Sequence, residues 1–452
     1  MRITRISVAN LFGVFNHSIP MNLEDRITII HGPNGFGKTV LLKMLDGLFG
    51  SRYSEFRAIP FKAFRIEFDD KSELGVHKKN ETRDKREKKR NGSPALTFSF
   101  AKPGSSPKSF SPFQADNRII DFPLSLIEHE IPELKRVGST KWRHIITGEI
   151  ISLKEIFNQY GSFLPLGVLG GLNDEPGLND EQKWMQELSN SIHVRFIQTQ
   201  RLLSSSSVPM QSKSEKPMSM VPAVNRYSDD LAGVIQSTLA EYAALSQSLD
   251  RSFPQRVVQK QTSVLTGEEL ANKLRELEQK RSRLMEIGLL KEEKEAFPIP
   301  REIDETKISV LSVYVQDVEK KFSVFEEIAA KIKLFSEIIN ERFLYKKMTI
   351  SKENGFTFTA SKGDPLLPSS LSSGEQHELV LLYELLFKIK SNSLILIDEP
   401  ELSLHVAWQE QFLEDLQKIT QLSNFDILIS THSPQIISDR WDLTVELRRP
   451  AE

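Results

Sequence analysis

The chain has 452 residues, enough for two or three domains with sizeable cores. Its formal net charge of −2 excludes a global attraction to nucleic acid or to an anionic membrane, so any basic surface must be local. It contains no cysteine, which excludes a disulfide framework, thiolate metal sites and a cysteine nucleophile, and which points to the cytoplasm.

The N-terminal Met1-Arg2-Ile3-Thr4-Arg5-Ile6-Ser7-Val8 reads as a short strand and not as a signal peptide. No apolar run reaches the roughly 18 residues that a membrane span requires, so none is expected. Met21-Asn22-Leu23 is expected to continue the same sheet. Arg26 to Ile30 then reads as a buried strand leading into Gly32-Pro33-Asn34-Gly35-Phe36-Gly37-Lys38-Thr39, which fits G-x-x-x-x-G-K-[ST]. Thr39 to Phe49 reads as a helix, apolar at Val40, Leu41, Met44, Leu45 and Leu48.

Strand, glycine-rich loop and helix together form a phosphate cradle. Glycines let backbone N–H groups curl around phosphate oxygens, and the helix N-terminus adds partial positive charge. In that chemistry Lys38 reaches the β- and γ-phosphates and the Thr39 hydroxyl takes a place on Mg²⁺. Phe36 is bulky for such a loop, and the pattern offers no account of it.

Phe61 to Phe68 and Ala95 to Phe100 alternate like half-buried strands. Between them Lys78 to Arg90 carries eight Lys/Arg in thirteen residues, interleaved with Glu81, Asp84 and Glu87. It reads as a solvated hairpin tip, with phosphate contacts as the alternative. Glu149 to Tyr160 reads as a helix and Val194 to Ile197 as a strand, followed by Gln198-Thr199-Gln200-Arg201 and a Ser-rich linker over 204–219.

Asp229 to about Ala296 and Ile308 to Tyr345 carry helical patterns. Glu268 to Glu295 suggests one arm of an antiparallel helix pair, turned at Phe297-Pro298-Ile299-Pro300. An arm of about 30 residues reaches only about 45 Å, a short lid. Lys347 to Ile350 and Phe356 to Ala360 read as a hairpin around Glu353-Asn354-Gly355.

Leu371-Ser372-Ser373-Gly374-Glu375 opens a helix from His377 to Ile389. It reads either as an ordinary N-cap, Ser with Glu three residues on, or as an anion-binding turn. Ser393 to Glu401 is an apolar strand ending in acids, where ligands bind in parallel sheets. There Asp398 would hold Mg²⁺ through water and Glu399 would act as the general base on the attacking water. Glu401 to His405 turns into a helix with Trp408, Phe412 and Leu416. Asp426 to Ser430 is another apolar strand, ending near His432, which could reach a γ-phosphate.

Taken in this order, the motifs resemble those of ABC-class ATPases, in the RecF, SMC and OLD-like branch. The resemblance covers residues 1–70, about 190–203 and 345–440. It makes Gly32 to Thr39 a Walker A motif (Gly32, Pro33, Asn34, Gly35, Gly37, Lys38 and Thr39 on the nucleotide) and Gln200, or else Gln198, the Q-loop residue on nucleotide and Mg²⁺. Ser372, Ser373 and Gly374 become the signature, with Ser373 where many members have Gly. Leu394 to Glu399 becomes Walker B, Ser403 to His405 the D-loop, and His432 the switch histidine.

The implied fold class is α/β: a P-loop ATPase head with a mixed sheet, an N-terminal antiparallel β subdomain and an inserted helical arm. The implied domains are 1–203 and 346–452 for the two parts of the head and 204–345 for the arm.

The same resemblance implies ATP and Mg²⁺ as cofactors and a homo-oligomer built from ATP-sandwich dimers. In them, Ser372 and Gly374 of one protomer complete the γ-phosphate site of another. The stretches Phe196 to Leu203, Ser248 to Pro254 and Glu399 to His405 look like those of the stand-alone ATPases of bacterial anti-phage systems, PARIS first and Septu second. The implied partner is a separate effector nuclease, with a phage-derived trigger, since the chain carries no nuclease signature of its own. The alternative is a RecF-like repair ATPase that binds nucleic acid.

Overall fold

The computed structural model describes residues 1–50, 53–79, 95–111, 131, 134–138, 141–144, 150–152, 156, 180–197, 203–204, 221–259, 266–290, 303–402 and 404–449. The chain divides into two compact units. The first holds Met1–Thr199, Ser207–Met210 and Lys390–Glu452; the second holds Gln200–Ser206 and Gln211–Ile389.

The first unit contains an antiparallel sheet and a parallel sheet. Strands Ile3–Leu11 and Phe15–Pro20 form a hairpin, and Ile3–Leu11 also pairs with Ala63–Phe68. Glu73–Lys79, Ala95–Ala101 and Lys108–Phe110 complete a six-stranded antiparallel sheet. Its alternation is clean: Phe64, Ile66 and Phe68 are buried while Arg65 is exposed. Lys79 pairs with Ala95, so these two strands do form a hairpin, and its basic tip at 80–90 lies outside the described residues. Met21-Asn22-Leu23 is not strand; the sheet ends at Pro20 and a loop leads to the next strand.

The parallel sheet has the order Val194–Ile197, Leu394–Asp398, Asp426–Ser430, Ile27–His31, Thr444–Glu446. Its central strands have no exposed face. All five residues of Leu394–Asp398 and of Asp426–Ser430 are buried, which explains their unbroken apolar runs. The helix after the glycine-rich loop, Lys38–Phe49, buries Leu41, Leu42, Met44, Leu45, Leu48 and Phe49. These join Ile6 and Phe64 of the antiparallel sheet and Leu396 and Leu428 of the parallel sheet in one core. Each fully buried Leu or Phe contributes about 1.5–3 kcal/mol, so this core fixes where the helix starts.

Ile150–Ser152, expected within a helix, is a strand paired with Lys141–His144. Its three residues Ile-Ile-Ser favour β structure, and a partner strand satisfies their backbone groups. The rest of that expected helix, apart from Ile156, lies outside the described residues.

The second unit is built on the helix Ala223–Gln259, 37 residues long. Its Ser228 hydroxyl lies 2.7 Å from the carbonyls of Asn354 and Phe356 and accepts the Phe356 N–H at 3.1 Å. This fastens it to the expected hairpin, Lys346–Ser351 with Gly355–Ala360. Gly355 has φ +64°, and a Cβ there would lie 1.8 Å from the Ser228 carbonyl oxygen, so only glycine fits.

The helical arm departs from expectation. Arg256 forms a forked pair with Asp317, and Lys321 bonds Asp250 at 2.8 Å. These cross-links run Ala223–Gln259 antiparallel to Glu305–Ser323. By contrast, Lys273 bonds Glu319 at 2.7 Å and Lys280 bonds Glu326 at 3.3 Å. The equal offset makes Gly267–Glu286 run parallel to the stretch from Glu305–Ser323 into the start of the next helix, Glu326–Arg342, not antiparallel through a tight turn. The expected turn at Phe297–Pro300 lies outside the described residues.

Candidate active site

Three adjacent parallel strands end side by side, and each delivers part of the site from its carboxyl end. Ile27–His31 leads into the glycine-rich loop, Leu394–Asp398 into Glu399, and Asp426–Ser430 into Thr431 and His432. Backbone bonds fix the register: Glu399 N–H donates to Ser430 O at 2.8 Å, and Thr431 N–H to Ile30 O at 3.2 Å. Acids and histidine therefore sit at a rigid sheet edge that ligands of parallel α/β sheets favour.

The loop has the shape its sequence implied. Gly35 and Gly37 adopt φ +84° and +86°. The positive φ at Gly37 strains any other residue, and a Cβ there would also press on Leu11 Cδ2 at 2.6 Å. Gly37 caps the helix Lys38–Phe49 without any side-chain hydrogen bond, leaving the helix N-terminus available to an anion.

The structure also accounts for Phe36. Its ring is buried against Phe15, with centroids 4.9 Å apart, and its carbonyl accepts a bond from His17 Nε2 at 2.9 Å. Phe36 thus anchors the loop to the antiparallel sheet. Burial holds the His17 imidazole below its ordinary value, against a smaller opposite pull from that carbonyl.

Lys38 is buried, and its Nζ donates to Gly32 O at 2.7 Å and Pro33 O at 3.0 Å. Burial lowers its pKa, partly offset by Glu399, Asp398 and Glu401. The Thr39 hydroxyl donates to Asp398 Oδ1 at 3.1 Å. A hydroxyl and a carboxylate converging in this way suit a hard divalent cation whose remaining ligands would be phosphate oxygens and water. Ser430, in register with Asp398, keeps a buried hydroxyl that has no hydrogen-bond partner among the described residues. Among the described residues no group of three or more His, Cys, Asp or Glu could hold a metal ion alone.

Glu399 stands at φ +45°, a costly conformation for a non-glycine residue that functional sites often retain. His432 bridges the site: Nδ1 lies 3.5 Å from Lys38 Nζ, and Nε2 lies 3.7 Å from Glu399 Oε1. Asp398, Glu399, Lys38, Thr39 and His432 are thus brought together. Gln198, Gln200 and Ser403 lie outside the described residues.

Ser372, Ser373 and Gly374 belong to the second unit. There Ser372 caps the helix Ser373–Tyr383 in a reciprocal box: its hydroxyl accepts the Glu375 N–H, and Glu375 Oε2 accepts the Ser372 N–H at 2.8 Å. Lys346 grips both oxygens of Glu375, at 2.6 and 2.7 Å. Burial raises the Glu375 pKa, but Lys346 and the Ser372 bonds outweigh it and hold the carboxyl below its usual range.

Two residues of the first unit escaped the motif reading. Glu401 accepts the Thr431 hydroxyl and the His432 N–H, both at 2.8 Å, and Gln409 accepts the Ser433 hydroxyl at 3.0 Å. The one available signal was a third acid, two residues after Glu399.

A glycine-rich phosphate loop at one strand end, with acids at the end of the next strand but one in the same parallel sheet, defines a P-loop ATPase of α/β fold. The family model described as AAA_15, AAA ATPase domain, matches residues 1–437, and the chain belongs to that family. No curated protein matches it. Similar solved structures include the Smc head domain with an extended coiled coil bound to the C-terminal domain of ScpA from Pyrococcus furiosus: 11% identity, 99% of this chain, 94% of that chain, TM-score 0.33. Another is the SmcHead bound to the C-winged helix domain of ScpA: 10% identity, 97% and 91% coverage, TM-score 0.33. A third is the SMC head domain from Thermotoga maritima: 11% identity, 97% and 93% coverage, TM-score 0.30. Among the described residues no helix is long and apolar enough to cross a membrane.

Proposed function

We propose that the chain is an ATP-driven switch subunit that pairs with a second copy through ATP and thereby controls a separate effector nuclease in anti-phage defence. The observation that carries the hydrolytic part is the convergence of Lys38, Thr39–Asp398, Glu399 and His432 at three adjacent strand ends.

In this reading Lys38 leaves the Gly32 and Pro33 carbonyls for the β- and γ-phosphates. The loop N–H groups and the helix N-terminus hold the remaining phosphate oxygens. Thr39 would hold Mg²⁺ directly and Asp398 through water, with Gln200 a further ligand by resemblance alone, and the ion would neutralise charge on the phosphates. Glu399 orients the attacking water and accepts its proton, while His432 donates toward the γ-phosphate as charge develops.

The Ser372-Ser373-Gly374 turn supports the pairing step. A short helix N-terminus alone surrounds little charge, whereas a second copy would complete an enclosure around the γ-phosphate. ATP would then favour the closed pair, and hydrolysis would release it. The defence role and the effector rest on the resemblance of Phe196 to Leu203, Ser248 to Pro254 and Glu399 to His405.

The test is the mass of Glu399→Gln protein by light scattering with and without ATP, together with a pulldown from the native host. A doubling of mass with ATP and one co-purifying nuclease whose activity follows ATP state is the expected result. A mass indifferent to ATP overturns the switch. ATP-driven pairs that retain DNA and no protein replace it with a RecF-like repair ATPase.

A further inference from the structure

Glu401 touches none of the atoms that would bind a nucleotide in the arrangement above, yet it is committed at both carboxylate oxygens. Oε2 accepts the Thr431 hydroxyl and Oε1 accepts the His432 backbone N–H, both at 2.8 Å. Thr431 Oγ1 in turn accepts the Ser433 N–H at 3.0 Å. Bonds of this length to an ionised acceptor are the stronger kind. One carboxylate therefore pins two consecutive residues just past the end of a buried strand.

The segment holding Glu401 is itself braced to the same loop. Gln409 is buried, its Nε2 donates to Glu401 O at 3.2 Å and Leu404 O at 3.4 Å, and its Oε1 accepts the Ser433 hydroxyl at 3.0 Å. A closed circuit results: Glu401, Thr431, His432, Ser433, Gln409 and back to Glu401. It joins the turn after Glu399 to the loop bearing His432.

The geometry matters because His432 works at the margin of reach. Its ring nitrogens lie 3.5 Å from Lys38 Nζ and 3.7 Å from Glu399 Oε1, longer than good hydrogen bonds. Displacing its backbone by a fraction of an ångström decides whether either contact forms. We infer that Glu401 is a positioning residue for His432, with Gln409 as its brace. This rests on the reading of His432 as the γ-phosphate-facing histidine.

The experiment is steady-state ATP hydrolysis by wild type, Glu401→Ala, His432→Ala and the double variant. ATP affinity and melting temperature are measured alongside. Misplacing a group by about 1 Å can cost about 10²-fold in rate. Glu401→Ala is therefore expected to lower kcat by up to about that factor, with KM within about threefold. The double variant should be no slower than His432→Ala alone, since residues acting through one another are not additive. Glu401→Gln keeps an acceptor for the His432 N–H and should recover most of the loss.

Several results would overturn the inference: Glu401→Ala at the wild-type rate beside a slow His432→Ala, multiplied losses in the double variant, or a loss that follows ATP affinity and melting temperature. Wild-type turnover by His432→Ala would instead overturn the assignment of His432, and the inference with it. Gln409→Ala provides a check that leaves both charges in place: a fall in kcat smaller than that of Glu401→Ala is expected, and a larger one contradicts the order of the circuit.

Discussion

The two compact units secure their elements in opposite ways. In the first unit the three strands under the site are almost wholly apolar; Leu396, Leu428 and Ile29 are fully buried, Thr28 is a buried polar residue in their interiors, and their charged residues Asp398 and Asp426 stand at strand ends. In the second unit charges lie inside the packing. Arg342 and Glu378 are paired with side chains 3% and 0% exposed, and Asp317, 5% exposed, holds Arg256. Tyr383 donates to Asp230 and Tyr227 to Glu384, with the two rings stacked 4.7 Å apart. Burial and the neighbouring Glu384 push the Tyr227 phenol up to about 12, and burial with Asp230 pushes Tyr383 up as well, so both remain donors. An apolar platform gives a stiff edge that holds acids in one geometry. A polar network specifies orientation, because each donor accepts few positions, and loses much when one partner goes.

Breaking the first unit at its edge should give the largest effect. Glu399→Gln is expected to lower kcat by about 10²–10⁴-fold with ATP affinity retained, measured by single-turnover hydrolysis and nucleotide binding. An unaffected rate would move the general base elsewhere.

The buried pair of the second unit comes next. Glu378→Ala leaves Arg342 charged in the interior and should cost about 3–5 kcal/mol, seen as a fall in thermal and urea midpoints. Replacing both residues by apolar ones of similar volume should restore most of that loss. Leu396→Ala in the acid strand should cost about 2–5 kcal/mol by opening a cavity. The contrast is sharpest here: no second substitution in the strand should compensate as the double change in the second unit does.

Ser372→Ala removes the cap of its helix and should cost about 1 kcal/mol in stability. If the proposed pairing holds, its effect on ATP-driven mass should far exceed that cost.

The smallest effect concerns pH. His17 is held below its ordinary value of 6.5 in the folded chain. Below about pH 6.5 the unfolded chain therefore binds more protons than the folded one, and stability falls as pH drops from there toward the native value. Above pH 6.5 both states are neutral at this site and the penalty is absent. His17→Gln, which keeps a donor for the Phe36 carbonyl, should flatten the melting-temperature profile between about pH 7 and 5.

Much of the site was legible without coordinates. The glycine-rich loop is a local signal, since its glycines, Lys38 and Thr39 lie in one eight-residue run between a strand and a helix. The apolar runs before Asp398 and before His432 announced buried parallel strands, because only strands covered on both faces dispense with alternation. The hairpin at Glu353-Asn354-Gly355 was equally local, and its glycine proved obligatory through contact with the distant Ser228.

Other features depend on residues far apart in the chain. Phe36 reads as an anomaly until Phe15 and His17 are beside it. Glu401 reads as one more acid after a strand until Thr431 and His432 come within 2.8 Å. The arm shows the same limit: periodicity set its helices, but their relative direction is visible only in contacts between distant residues, such as Lys273 with Glu319 and Lys280 with Glu326. The sequence by itself determined most of the elements and the phosphate loop, because those follow from spacing within about ten residues; Ile150–Ser152 became a strand only through its partner Lys141–His144. Strand order, the meeting of Lys38 with His432 and the role of Glu401 were decided by tertiary structure, because hydrogen-bond geometry between distant segments leaves no periodic trace in the chain.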